Sequence, residues 1–189
     1  MNAATQPKRN GRWILFALIA ITIAPVLASY LAYYVWRPEG GKTYGELLKV
    51  GPVPAFRQAG LDGKPAALAD LKGRWVLVMA ASGDCQQACQ KDLHALRQIR
   101  MAQGKFMDRV ERLWLVTDAA APSKQAVAAA DGARTVRALE AIPLQGDVAT
   151  GYYLIDPLGN QVIRYPRTAD PVRVIKEVGK FLKNNENLG

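Results

Sequence analysis

The sequence predicts an α/β domain carried on a single N-terminal membrane-spanning helix, and three observations predict it. From Trp13 to Trp36 no residue is charged, a run longer than the roughly 20 apolar residues that cross a bilayer. Trp75-Val76-Leu77-Val78-Met79-Ala80-Ala81 is apolar without alternation, the pattern of a central strand buried on both faces by helices. The only two cysteines, Cys85 and Cys89, follow that strand and open an amphipathic helical segment.

The N-terminal run carries aromatic residues at its ends, Trp13 on one side and Tyr33, Tyr34 and Trp36 on the other, as anchors at two membrane interfaces do. Pro25 is placed to kink the middle. A cleaved signal peptide has an apolar region of about 7–15 residues followed by a small-residue cleavage site; this run is longer, and Ala28-Ser29-Tyr30 is a poor site. Lys8, Arg9 and Arg12 before the span nearly balance Arg37, Lys42 and Lys49 after it. The N-terminal cluster lies closer, which favours residues 1–12 in the cytoplasm. The expected organisation is a cytoplasmic segment 1–12, a transmembrane helix 13–36, a tether 37–49 and a domain 50–189 outside the cytoplasm. The N-terminus lacks the Arg- and Ser-rich character of an organelle transit peptide, so the setting is a bacterial inner membrane with the domain in the periplasm. That compartment lets two cysteines form a disulfide.

The formal charge is +9, and residues 1–37 hold four basic groups and no acidic one. The remainder is mildly basic, which suits a soluble surface and could favour anionic lipid or an acidic partner. No basic run is interleaved with aromatics, and no nucleic-acid-binding motif is present.

Along the rest of the chain, Arg37-Pro38-Glu39-Gly40-Gly41-Lys42 reads as a tether. Residues 51–56 and 61–65 suggest a turn-rich hairpin. Residues 67–73 give a helical turn closed by Gly73. After the strand at 75–81, Cys85, Ala88, Cys89, Leu93, Leu96 and Ile99 share one helical face at about 100° per residue. Residues 112–118 form a second central strand, and the alanine-rich stretch from Pro122 to about Ala141, interrupted at Asp131-Gly132, reads as helix. Tyr152–Ile155 and Gln161–Tyr165 are strands joined by the turn Asp156-Pro157-Leu158-Gly159-Asn160. The last helix is capped by Asp170 with Pro171 at its first position, and Val174, Ile175, Val178, Phe181 and Leu182 face inward. Strand, helix, strand, helix, hairpin, helix is a thioredoxin-like order, and a strand that hands a cysteine pair to a helix is how that fold presents a redox or metal-binding dithiol.

Cysteines four apart on a helix would have Cα atoms about 6 Å apart, within the reach of a disulfide. Cys85 at the helix start would feel the positive end of the helix dipole, which favours thiolate. Two thiolates are also a soft site that suits Cu(I). The plain alternative is that both cysteines are small buried core residues. His94, the only histidine, lies about 180° from Cys85 and about 140° from Cys89 around the helix, so a solvated surface residue is expected. Asp92 lies near the cysteine stripe as a charge compensating the helix dipole.

Pro54-Ala55-Phe56, Asp62-Gly63-Lys64-Pro65, the stretch Leu68 to Val78, the pair Cys85-x3-Cys89 and Tyr153-Leu154-Ile155-Asp156-Pro157-Leu158-Gly159 together resemble the Sco/SenC family. Those proteins are membrane-anchored factors that mature the copper site of cytochrome c oxidase. The resemblance implies a thioredoxin-like domain of the Sco/peroxiredoxin type and covers most of residues 50–185. It implies copper as a cofactor or cargo, with a respiratory oxidase subunit or another copper or thiol assembly factor as partner. Two departures accompany it. Gln86 and Gln90 stand where the family has proline after the cysteines, and Val148, after Asp147, stands where the family has its copper-binding histidine. The expected function is therefore a dithiol protein assisting oxidase assembly as a thiol–disulfide oxidoreductase, with Cys85 the more exposed, attacking thiol and Cys89 the resolving one. A Cu(I) carrier using both thiolates, and an assembly scaffold with a purely structural disulfide, are the alternatives.

Overall fold

A computed structural model describes residues 11–35 and 43–186. It divides into two compact units at Lys42 and Thr43. The first holds helix α1 (Gly11–Val35), with Pro25 inside it. The helix is long and apolar enough to cross a membrane. The Thr22 hydroxyl in its middle bonds back to the carbonyls of Leu18 and Ile19 at 3.1 and 2.9 Å, so that polar group is satisfied within the helix. Trp36, the expected C-terminal anchor, lies outside the described residues, as do residues 37–42 of the tether.

The second unit is built on a seven-stranded sheet. Its strands are β1 (Glu46–Pro52), β2 (Gln58–Gly60), β3 (Trp75–Ala81), β4 (Val110–Val116), β5 (Arg134–Ala138), β6 (Gly151–Ile155) and β7 (Asn160–Pro166), in the order β1-β7-β6-β3-β4-β5-β2. Strands β3, β4 and β5 run parallel, and the other pairs are antiparallel. The helices are α2 (Gln87–Met101), α3 (Lys124–Ala130) and α4 (Pro171–Asn184). Trp75 pairs with Val110 and Ala81 with Val116. The two central strands therefore end level and deliver their following loops to the same end of the sheet.

One face of the sheet packs Leu77, Met79, Trp114, Tyr152 and Leu154 against Leu93, Leu96 and Ile99 of α2 and Val174, Val178 and Leu182 of α4. The other packs Val76, Val78, Leu113, Leu115 and Tyr153. The sequence expectation that helices cover both faces holds for the first only. The second is closed by the 3-10 turn Leu68–Leu71, by Val148 of a second 3-10 turn, Val148–Thr150, and by loop residues such as Phe56 and Leu144.

Three boundaries differ from the sequence reading. Residues 43–49, expected as tether, belong to the domain: β1 starts at Glu46 and pairs with β7, and the Glu177 carboxylate of α4 accepts the backbone N–H of Tyr44 and Gly45 at 2.7 and 3.0 Å. The expected hairpin over 51–65 forms only in its second half, where the Gly60 N–H bonds the Lys64 carbonyl at 2.7 Å and Ala59 bridges to Pro65; residues 51–52 instead end β1, which pairs with β7 at the opposite edge of the sheet from β2 and β5. The alanine-rich helix stops at Ala130, and residues 134–138 are a strand. There Asp131 and Gly132 take left-handed backbone angles, φ 34° and 77°, and the buried Arg112 guanidinium on β4 binds the carbonyls of Ala130 and Asp131. Arg112 thus satisfies the open C-terminal carbonyls of α3. The following Thr135-Val136-Arg137 alternates, with Val136 buried, and pairing with β4 outweighs the helix propensity of the flanking alanines.

Candidate functional site

Helix α2 begins at Gln87 with Gln86 as its N-cap. Cys85 therefore lies just before the helix and Cys89 within its first turn. The two are joined in a disulfide with Cα atoms 5.3 Å apart. The expected exposure is reversed: Cys85 is 3% exposed and sits in the core cluster, whereas Cys89 is only partly buried against it. The physical reason is the start of the helix. The wheel puts both cysteines on the buried stripe, and a position at the helix start would open Cys85 to solvent; the helix instead begins at Gln87, so Cys85 lies in the loop leaving β3 and is buried in the core.

That loop pair is tightly built. The Asp118 carboxylate accepts the N–H of Gly83 at 2.9 Å and of Ala120 at 3.2 Å. Hydrogen bonds from the Ser82 hydroxyl and the Gly83 amide hold its pKa below the ordinary 3.8. A Cβ on Gly83 would run into the Ala120 carbonyl, so this approach of two backbones requires glycine. Gln90 donates its side-chain amide to the Cys85 carbonyl at 2.9 Å and so closes the disulfide loop from within the helix.

Beneath the first turns of α2 lies a polar group that sequence reasoning placed only in part. Asp92, three residues beyond Cys89, accepts the Tyr152 hydroxyl at 2.7 Å and is paired with Arg167 at 3.2 Å. Arg167 also donates to the carbonyl of Ala80, at the end of β3, at 2.5 Å. Burial and then Asp92 push the Tyr152 phenol well above its ordinary 10.0. Asp92 is therefore the anchor of a bridge between α2, β6, β3 and the segment after β7, rather than a charge merely offsetting the helix dipole. Its signal in the sequence was its position near the cysteine stripe; Tyr152 and Arg167 had none, because only the sheet brings them to it.

His94 is exposed, 3.3 Å from Gln98 on the outer side of α2, as expected. Val148 packs with the cluster on the sheet face opposite the cysteines, and Asp147 caps its own 3-10 turn by accepting the Ala149 N–H at 3.0 Å. Val148, at the position of the family's copper-binding histidine, is thus packed away from Cys85 and Cys89. Among the described residues no group of three or more His, Cys, Asp or Glu side chains could hold a metal ion. The donor set that remains, two sulfurs, fits Cu(I) once the disulfide is reduced, and lacks the imidazole that suits Cu(II).

A disulfide at the C-terminal end of a central parallel strand, opening a helix on a mixed sheet, defines a thioredoxin-like cysteine-pair protein. Residues 75–185 match the family described as a transmembrane-like, thioredoxin-like, C-terminal domain, and the chain belongs to that family. Its fold is similar to Sco structures. ScoI of Bradyrhizobium japonicum with copper bound is 17% identical with a TM-score of 0.54, covering 70% of this chain and 100% of that one. Apo Sco1 of Thermus thermophilus is 18% identical with a TM-score of 0.57, covering 77% and 98%. BsSco, described as a member of the Sco family of cytochrome c oxidase assembly proteins with a disulfide switch, is 18% identical with a TM-score of 0.54, covering 77% and 98%. A search of curated proteins finds no match.

Proposed function

We propose that this is a membrane-anchored, thioredoxin-like dithiol protein that assists assembly and copper-site maturation of a respiratory cytochrome c oxidase by thiol–disulfide exchange at Cys85 and Cys89. The observation that carries the reading is the disulfide at the end of β3, one half of it partly open to solvent, in a loop held by Asp118 and Gln90. The oxidase setting is supported by the likeness of the fold to the Sco proteins, BsSco among them. Residues 1–12 remain in the cytoplasm of a bacterial cell, α1 anchors the protein in the inner membrane, and the domain works in the periplasm, where a partner with reactive cysteines is met.

The test is the reduction potential of the pair in the full chain, equilibrated in glutathione or dithiothreitol buffers and read by the mass added on alkylation. A potential above about −300 mV is expected of an exchanging disulfide; one below it belongs to a structural bridge and removes the exchange reading in favour of a scaffold. A Cu(I) carrier is the second reading, favoured by the fold likeness to copper-bound ScoI. It requires the reduced protein to take up one Cu(I) that is lost when both cysteines are replaced by serine.

A further inference from the structure

Resting on the exchange reading above, we infer that Cys89 is the sulfur that exchanges with the partner and that Cys85 is the leaving and resolving one, the reverse of the order in which the chain presents them. Burial is the first ground. Cys85 is 3% exposed and belongs to the core cluster with Met79, Leu93, Val116 and Tyr152, while Cys89 is packed only partly against that cluster. An attacking thiolate must approach its target sulfur in line with the bond it breaks. Cys85 offers almost no surface for that approach, and the loop that leads to it is pinned in place: the Gly83 amide is bound to Asp118, and the 118–120 loop lies close enough to exclude a Cβ at Gly83.

The second ground is where charge is best received. Attack by a partner thiolate on Sγ of Cys89 forms the mixed disulfide there and breaks the Cys85–Cys89 bond, and Cys85 departs with the electron pair as a thiolate. Cys85 immediately precedes the N-cap of α2, and Gln86 makes no side-chain capping bond to that turn. The first N–H groups of a helix have no intrahelical acceptor, and that end of the helix favours negative charge. A leaving thiol whose thiolate is stabilised leaves faster. The partner's second thiolate then attacks the partner sulfur of the mixed disulfide, and Cys89 is released as a thiolate. The partner dithiol is oxidised to a disulfide, and the Cys85–Cys89 disulfide is reduced by the same two electrons. In the opposite direction, Cys89 thiolate attacks the partner disulfide, and Cys85 resolves the mixed species by attacking Sγ of Cys89. The segment that carries Cys85 is held through Gln90 and Asp118, neither of which bonds to a sulfur, which suits an internal resolving thiol.

The oxidised full-length protein is exposed briefly to reduced glutathione, quenched with acid and mapped by mass spectrometry. Glutathione is expected on Cys89. In parallel, the reduced Cys85→Ser and Cys89→Ser variants are reacted with Ellman's reagent, and Cys85→Ser, which keeps Cys89, is expected to react at least about tenfold faster, as exposure governs thiol reactivity. Glutathione on Cys85, or faster reaction of Cys89→Ser, overturns the assignment. The glutathione map uses the unaltered protein, so a variant that fails to fold leaves the question decided. If native protein forms no mixed disulfide on either cysteine while urea-unfolded protein does, the exchange reading itself falls and takes this inference with it.

Discussion

The Tyr152 hydroxyl on β6 donates a 2.7 Å hydrogen bond to the Asp92 carboxylate on α2, and through the Asp92–Arg167 pair it ties the helix that carries Cys89 to the middle of the sheet. Both charged side chains are mostly covered. Replacing Asp92 with alanine leaves the Arg167 guanidinium partly buried without its carboxylate and the Tyr152 hydroxyl without an acceptor. A cost of about 2–4 kcal/mol is expected, against about 1 kcal/mol for Tyr152→Phe, which removes a donor from a carboxylate that keeps Arg167. The two effects should be non-additive in a double-mutant cycle read by urea unfolding.

Alkaline pH acts on the same residue. Burial raises the pKa of Tyr152, with Asp92 adding to it, and burial together with the nearby Glu177 raises that of Tyr165. A folded-state pKa above the unfolded 10.0 means that the stabilisation is fully present below pH 10 and is lost as the pH rises above it. The urea midpoint should therefore be insensitive to these groups from pH 7 to 9 and fall beyond pH 10. Tyr152→Phe should make that fall shallower.

The N-terminal boundary of the domain is set by Glu177. Glu177 is 9% exposed, and its carboxylate accepts the amides of Tyr44 and Gly45. Glu177→Ala should lower stability by about 2 kcal/mol, the cost of leaving buried donors unpaired. A chain starting at Val50 lacks those amides and most of β1, so it should be less stable than one starting at Thr43, and in that shorter chain Glu177→Ala should cost little. Thermal melts of the four proteins check this. Equal stability of the two starts would show that residues 43–49 are a tether after all.

Much of the architecture was legible because it is written in local patterns. The uncharged run of α1, the apolar runs of β3 and β4, the Asp156-to-Asn160 turn and the Asp170-Pro171 start of α4 each depend on neighbours a few residues away, so periodicity and capping chemistry locate them. The Cys85–Cys89 pair was legible for the same reason. Strand β5 was not: its residues follow an alanine-rich helix, and it exists because β4 offers an open edge and Arg112, distant in sequence, ends α3. The place of β1 was hidden likewise, since a seven-residue strand among glycines and prolines is held by β7 and by Glu177 from the other end of the chain. The roles of the two cysteines were beyond sequence reasoning as well. Which sulfur meets solvent depends on where the helix begins and on how the Cys85 segment packs into the core, with Asp118 of another loop binding Gly83, and these are packing relations between segments more than thirty residues apart. Chain-local physics determines the elements and the chemistry they carry; burial, which belongs to the folded whole, determines which atom of that chemistry is open to a partner.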